Sequence, residues 1–240
     1  MSRKTIIAVI VAALVVVGVL IGIQQATKSS TSTSTYAKAF TADLPNVDQI
    51  LNGIPQNGRV LGNPKAKVSI IEYMDYKCPI CGDASKVLVP SVISTYVRTG
   101  IATIALRPVE VIDPVQSVNA AFAGLATAPQ GRMWEFTELI LRNQGDETTS
   151  WLTSAVLTAA AKTAGVNIAQ WTPVFNGKAV EAEYFADVNQ FSTDTSDAGL
   201  SEATPTFVVN GPKGGPIVFQ GIVPLSTFTK AIATVSGGTA

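Results

Sequence analysis

The chain has 240 residues, 47% hydrophobic and 14% charged, enough for one well-buried domain with an appendage and too few for two large domains. Its 17 Lys+Arg balance 17 Asp+Glu, so there is no basic field to hold nucleic acid and no acidic tail. Histidine is absent, which excludes Ser-His-Asp hydrolysis, Cys-His proteolysis and His-containing zinc sites, and leaves Cys78 and Cys81 as the conspicuous reactive side chains.

Behind Arg3 and Lys4, the run from Ile6 to Ile23 is apolar and uncharged. A helix there covers roughly 27 Å, close to the thickness of a hydrocarbon core, so residues 1–25 are expected to form one transmembrane anchor with a cytoplasmic N-terminus. The remainder is then expected outside the cytoplasm, in the cell envelope, where disulfides persist. A cleaved signal peptide is the alternative; its apolar core is usually shorter, and Gln24-Gln25-Ala26-Thr27 is a poor cleavage site. The Ser/Thr-rich stretch Thr27 to Thr35 has no hydrophobic period, and residues 26–57 read as a flexible tether with a short helix around Val47 to Leu51.

A folded domain is expected over residues 58–240. Val68 to Asp75 has the β-branched and aromatic content of a strand buried on both faces, with Glu72 as its exception. Pro79 suits the first turn of a helix that continues through Val87, Leu88, Val92, Ile93, Tyr96 and Val97 to Gly100, kinked at Pro90. Ile101 to Arg107 reads as a second strand, which places the cysteines at the C-terminal end of the first, where open sheets carry their active sites. From about 113 to 197 the period is helical, with Met133, Phe136 and Ile140 on one stripe; Trp134, Trp151 and Trp171 read as packing. Thr206 to Asn210 and Ile217 to Phe219 flank a Gly/Pro turn as a hairpin, and a last helix runs from Pro224 to about Val235.

The two cysteines stand three apart in Cys78-Pro79-Ile80-Cys81. On a helix that spacing puts both on one face, able to close a small ring at the helix N-terminus, where free N–H groups and the dipole favour an anion. Cys78 is therefore the expected nucleophile, with a lowered pKa, and the more shielded Cys81 the resolving thiol. Three other readings stand beside this one. A structural disulfide would gain little by closing so short a loop. A zinc half-site lacks further Cys or His ligands in the chain. The pair could also be inert in a binding module.

These residues resemble the DsbA-like, thioredoxin-fold disulfide oxidoreductases, in particular the membrane-anchored forms of bacterial envelopes. The resemblance lies in Val60-Leu-Gly-Asn-Pro-Lys-Ala-Lys-Val68, Glu72-Tyr-Met-Asp-Tyr-Lys-Cys-Pro-Ile-Cys81, Met133-Trp-Glu-Phe136 and Thr204-Pro-Thr-Phe-Val-Val-Asn-Gly211. It implies an α/β thioredoxin-like fold with a helical insertion, preceded by the single transmembrane helix. Pro205 is similar to the family's cis-proline, which faces the redox disulfide; Thr204 beside it would supply backbone contacts to an extended client, with Pro79 and Ile80 completing the substrate-binding surface. Pro205 taken alone would suggest a trans proline opening a strand. Glu72 falls where the family carries a buried acid beneath the buried cysteine, able to relay a proton to or from Cys81; a structural acid with a hydrogen-bond partner is the alternative. Asp75 and Lys77 read as solvated charges flanking the site.

Ile80 departs from the strongly oxidising members, which place histidine there to stabilise the thiolate; a less depressed Cys78 pKa and a less oxidising couple are expected. The resemblance implies oxidation of exported clients that carry thiols, with recharging by a quinone-linked integral membrane oxidase. An envelope reductase or isomerase, or a non-catalytic peptide-binding module, are the rival functions. No cofactor and no metal are expected, nor is nucleic acid a partner, and the protein is expected to be a monomer.

Overall fold

The computed structural model describes residues 32–238. The expected anchor over 1–25 lies outside them, and among the described residues no helix is long and apolar enough to cross a membrane. Where the sequence suggests a tether through residue 57, residues 32–51 form a helix instead, α1. Tyr36, Phe40, Val47 and Leu51 recur at helical spacing. The last three are buried, while Tyr36 stacks on Trp151 with ring centroids 5.3 Å apart. Its polar face is tied down as well, since Asp43 accepts from Arg142 at 2.9 Å. At its C-terminal end Arg98 donates to the carbonyls of Asn52 and Ile50 at 2.7 and 2.8 Å, a cation on the negative end of the helix. Serine and threonine at the start of α1 conceal this stripe in the sequence.

Six strands form one sheet in the order β1-β2-β4-β3-β5-β6: β1 (Gln56–Asn57), β2 (Val60–Leu61), β3 (Val68–Met74), β4 (Ala102–Pro108), β5 (Thr206–Asn210) and β6 (Ile217–Gln220). Central β3 pairs parallel with β4 and antiparallel with β5. The parallel crossover is made by α2 (Pro79–Val87), α3 (Val89–Val92) and a π-helical turn, Ile93–Val97. The helix is interrupted near Pro90: α2 ends at Val87 and α3 starts at Val89, with Leu88 between them still right-handed, because Pro90 has no N–H and its ring crowds the carbonyl one turn back.

Between β4 and β5 lies the helical insertion: α4 (Gln116–Leu125), α5 (Met133–Arg142), α6 (Ser154–Thr163), α7 (Ile168–Phe175) and α8 (Lys178–Asp197). The chain closes with the antiparallel hairpin of β5 and β6 and helix α9 (Leu225–Ser236). This is the thioredoxin-like α/β sheet with a helical insertion. The three tryptophans are packing residues, each at most 5% exposed.

Side chains alternate across β3. Tyr73 turns to a small cluster with Val109, Phe191 and Val208, while Ile70 and Met74 enter the main core together with Cys81, Ala84 and Leu88 of the α2 segment. Glu72 shares the parity of Ile70 and Met74, so it lies on the face covered by that core. The register Tyr73↔Thr206 sets the residue just before β5, Pro205, level with the end of β3, from which Cys78 follows after a short turn.

Candidate active site

The turn between β3 and α2 is built by hydrogen bonds that reach far along the chain. Cys78 donates its N–H to the Asp75 carbonyl at 3.1 Å and accepts at its own carbonyl from Gly82 N–H at 3.2 Å, the first bond of α2. From the end of α5, Gln144 Nε2 donates to the carbonyls of Tyr76 and Cys78 at 2.9 and 3.0 Å. Gly82 permits this approach: a Cβ there would stand 2.9 Å from the Leu141 carbonyl and collide with the Gln144 amide.

Asp75 and Lys77 correct the sequence reading. They are not solvated but buried, 0% and 3% exposed. Asp75 accepts from the N–H groups of Lys77, Val111 and Ile112 and from the Ser117 hydroxyl, so its carboxylate organises the loop after β4. Lys77 Nζ reaches Asp113 at 2.9 Å and the Thr149 carbonyl at 3.0 Å. The N–H groups of Gln116 and Val115, with Lys77, hold the Asp113 carboxyl down at about 2. The Val111, Ile112 and Ser117 partners of Asp75, and both partners of Lys77 Nζ, lie more than thirty residues away, beyond the reach of a local sequence pattern.

Both cysteines are free thiols, and they are set in opposite directions. Cys78 is brought down to about 6. The Cys81 thiol donates to it first of all, with the Thr204 side chain and the N–H groups of Cys81 and Ile80 adding to an effect that burial opposes. Burial pushes the Cys81 thiol well above its ordinary value, and the neighbouring Cys78 sulfur raises it further. The depressed pKa of Cys78 is thus reached without a charge at position 80. The helix N–H groups and the second thiol supply that stabilisation in place of a charge.

The Thr204–Pro205 peptide is cis. The Cys78 thiol lies 3.3 Å from the Thr204 carbonyl. The Thr204 hydroxyl is buried beside both sulfurs, and its favourable effect on their thiolate forms lowers the pKa of each. Pro79 and Ile80 stand at the surface in front of the sulfurs, Ile80 being 50% exposed.

Glu72 is 1% exposed, and neither carboxyl oxygen has a hydrogen-bond partner. Burial pushes its pKa up to about 8, with the Glu138 carboxyl adding to the rise. Glu72 makes no direct hydrogen bond to Cys81. Glu138, missed by sequence reasoning, is a second buried acid, pushed up to about 7 by burial and accepting from Ser85 Oγ of α2 at 2.8 Å. Its place in an apolar helical stripe was a usable signal. Gln144 and Thr149 carried none. Among the described residues no group of three or more His, Cys, Asp and Glu side chains is arranged to hold a metal ion.

Residues 55–223 match the thioredoxin family. The chain belongs to that family. Among solved structures, this thioredoxin-family chain superimposes on oxidised BdbD of Bacillus subtilis with a TM-score of 0.63, at 22% identity, covering 76% of this chain and 94% of that one. In sequence it is 26% identical over 158 residues to a Rickettsia prowazekii protein that carries a protein-disulfide oxidoreductase name, covering 66% of this chain and 56% of the relative. It is 27% identical over 197 residues to a Na(+)/H(+) antiporter NhaA of Salinispora tropica, covering 80% of this chain. The chain spans only 28% of that antiporter and 56% of the Rickettsia protein.

Proposed function

We propose that the protein is an extracytoplasmic thiol-disulfide oxidoreductase that oxidises exported client proteins through Cys78 and Cys81, anchored to the membrane by residues 1–25. The observation that carries the reading is the opposite setting of two sulfurs within one helical turn, with Cys78 near 6 and Cys81 far above it. A nucleophile that is ionised at neutral pH next to a protonated resolving thiol is the arrangement disulfide exchange requires.

In the oxidised protein a client thiolate attacks Cys78 Sγ, the Cys78–Cys81 bond breaks, and Cys81 leaves as a thiolate that takes up a proton. The client's second thiolate then attacks the client sulfur of the mixed disulfide and releases Cys78 as a thiolate. The client loses two electrons and the Cys78–Cys81 pair gains them. A low-pKa Cys78 is a good leaving group for this second step. Glu72 is protonated at neutral pH, lies on the core-facing side of β3, and is the acid assigned to supply the proton for Cys81. Recharging falls to an integral membrane disulfide partner coupled to quinone. The exposed Ile80, Pro79 and the Thr204–Pro205 backbone form the client surface, on which an extended segment pairs by strand addition.

Oxidation of reduced ribonuclease and reduction of insulin, each with wild type and Cys78→Ser, test the proposal. Turnover by wild type that vanishes in the variant is expected. Turnover that survives Cys78→Ser, or none by wild type in either assay, sinks it. The equilibrium with glutathione gives the direction: a weakly oxidising couple would favour the reductase reading.

A further inference from the structure

The charges of this chain cancel in sum but not in space. β3 and β4 end, and β5 begins, at the Cys78 end of the sheet. Four loops gather there: residues 109–115 after β4, 144–150 after α5, 198–205 before β5 and 221–224 after β6. Each is tied to the redox turn or to the cis-proline beside it. Val111 and Ile112 bond Asp75, Gln144 holds the Cys78 carbonyl, the Thr204 carbonyl faces the Cys78 sulfur, and Gly221 donates to the Pro205 carbonyl. These loops carry Glu110, Asp113, Asp146, Glu147 and Glu202 and contain no lysine or arginine. Asp83 adds a sixth acid on the exposed face of α2, three residues on from Ile80.

The bases at this end are already engaged. Lys77 is buried against Asp113, and Arg107 at the end of β4 pairs with Asp187. Outside the ring of acids stand Lys86, eight residues after Cys78 and about 12 Å along α2, and Lys38 on α1. Apart from Asp113 the acids of the ring are exposed, and among the described residues none of those five has an ion-pair partner. At the opposite end of the sheet the pattern is reversed. Loops 62–67, 98–101 and 211–216 carry Lys65, Lys67, Arg98 and Lys213 and no acid. Two further observations mark the acidic end as a binding face. Among the described residues eight large apolar side chains are exposed, and five of them, Ile80, Val111, Ile112, Val115 and Ile222, lie in these loops or at the start of α2. Within the ring Thr204 Oγ1 is buried and has no hydrogen-bond partner, a polar atom left to a bound client.

We propose that the redox face selects client segments in which the reacting cysteine is flanked by apolar residues and by lysine or arginine, and discriminates against acidic segments. This deepens the oxidoreductase reading above and rests on it. A client reacts as a thiolate and so brings its own negative charge into this field. An acidic segment adds to the repulsion. A lysine or arginine beside the cysteine offsets it, pairs with the exposed acids and keeps more of that cysteine ionised. The client thiolate then attacks Cys78 Sγ and Cys81 leaves with the bonding pair. The client's second thiolate closes the client disulfide, so that two electrons pass from the client to the Cys78–Cys81 pair.

Three synthetic dithiol peptides test this, alike in their cysteines and apolar residues and differing only in flanking positions that are lysine, glutamine or glutamate. Each is mixed with the oxidised full chain in neutral detergent, and its rate of oxidation is divided by its rate with hydroxyethyl disulfide, which removes differences in intrinsic thiol reactivity. At about 0.01 M ionic strength the lysine peptide is expected to react about tenfold faster than the glutamate peptide, with the glutamine peptide between them; at about 0.5 M the ratio is expected to fall toward one. If wild type oxidises none of the peptides, or Cys78→Ser oxidises them as well as wild type does, the oxidoreductase reading falls and the inference with it. Oxidation that needs Cys78 but is equal for the three peptides, or a preference that ignores salt, overturns the inference alone. Glu110→Gln combined with Glu202→Gln is expected to lower the ratio about threefold, and Lys65→Gln combined with Lys67→Gln, at the far end of the sheet, to leave it as it is. A ratio unmoved by the first pair, or lost with the second, would take the selection away from the redox face and overturn the inference.

Discussion

The Cys78 sulfur lies 3.3 Å from the carbonyl oxygen of Thr204, a residue 126 positions further along the chain. A protonated thiol donates to that oxygen. A thiolate cannot, and is served instead by the Cys81 thiol, the Thr204 side chain and the N–H groups of Cys81 and Ile80. The same sulfur thus has one partner set for each protonation state, and both sets are in place before any client arrives.

Alkylation of Cys78 by iodoacetamide should be half-maximal near pH 6, against roughly 8.5 for an ordinary cysteine. In Cys81→Ala the strongest stabilising donor is gone, and the midpoint should move up by about one pH unit or more. A midpoint that stays put would remove Cys81 from the account of the nucleophile.

Glu72 should oppose folding as pH rises. Its folded pKa of about 8 lies above the ordinary 4.5, so the folded state holds a proton that the unfolded state gives up. Stability is unaffected below about pH 4 and declines between 4.5 and 8, at about 1.4 kcal/mol per pH unit. Glu72→Gln should therefore leave the oxidised protein little changed at pH 4 and more stable at pH 8, measured by urea denaturation. The oxidised form is chosen because Cys78 then does not titrate.

Gly82→Ala should cost about 1–3 kcal/mol, since the added methyl meets the Leu141 carbonyl and displaces the Gln144 amide. Because Gln144 positions the Cys78 carbonyl, exchange with a small disulfide should slow as well. A Gly82→Ala protein of wild-type stability would show that α5 and α2 can separate without loss.

The Lys77–Asp113 pair should be asymmetric. Lys77→Met leaves Asp113 its donors from Val115 and Gln116, at a cost of about 1 kcal/mol. Asp113→Ala leaves a buried ammonium with the Thr149 carbonyl alone and should cost about 3 kcal/mol. Thermal denaturation of the two variants compares them directly, and equal losses would contradict the burial of Lys77.

Much of this architecture was legible in the sequence because it rests on local signals. Periodicity located β3, β4, the helical stretch and the final hairpin, and the cysteine spacing at a helix start pointed to Cys78 as the nucleophile. What was illegible depends on distant partners. Lys77 looks solvated until residues 113 and 149 arrive beside it, and α1 looks like tether because its first turn is all serine and threonine and continues the polar stretch before it. Glu72 was placed in the core by strand pattern alone, but nothing local could reveal that it has no hydrogen-bond partner.

Gln144 and Lys77 also say something about motion. The helical insertion holds the redox turn by the backbone through Gln144 and by a side chain through Lys77, one residue apart. The residues around Cys78 are therefore held from both parts of the fold at once, and a movement of the insertion over the site would break these hydrogen bonds. On the oxidoreductase reading proposed above, an extended segment docking at Pro205 would have to fit a turn held from two sides.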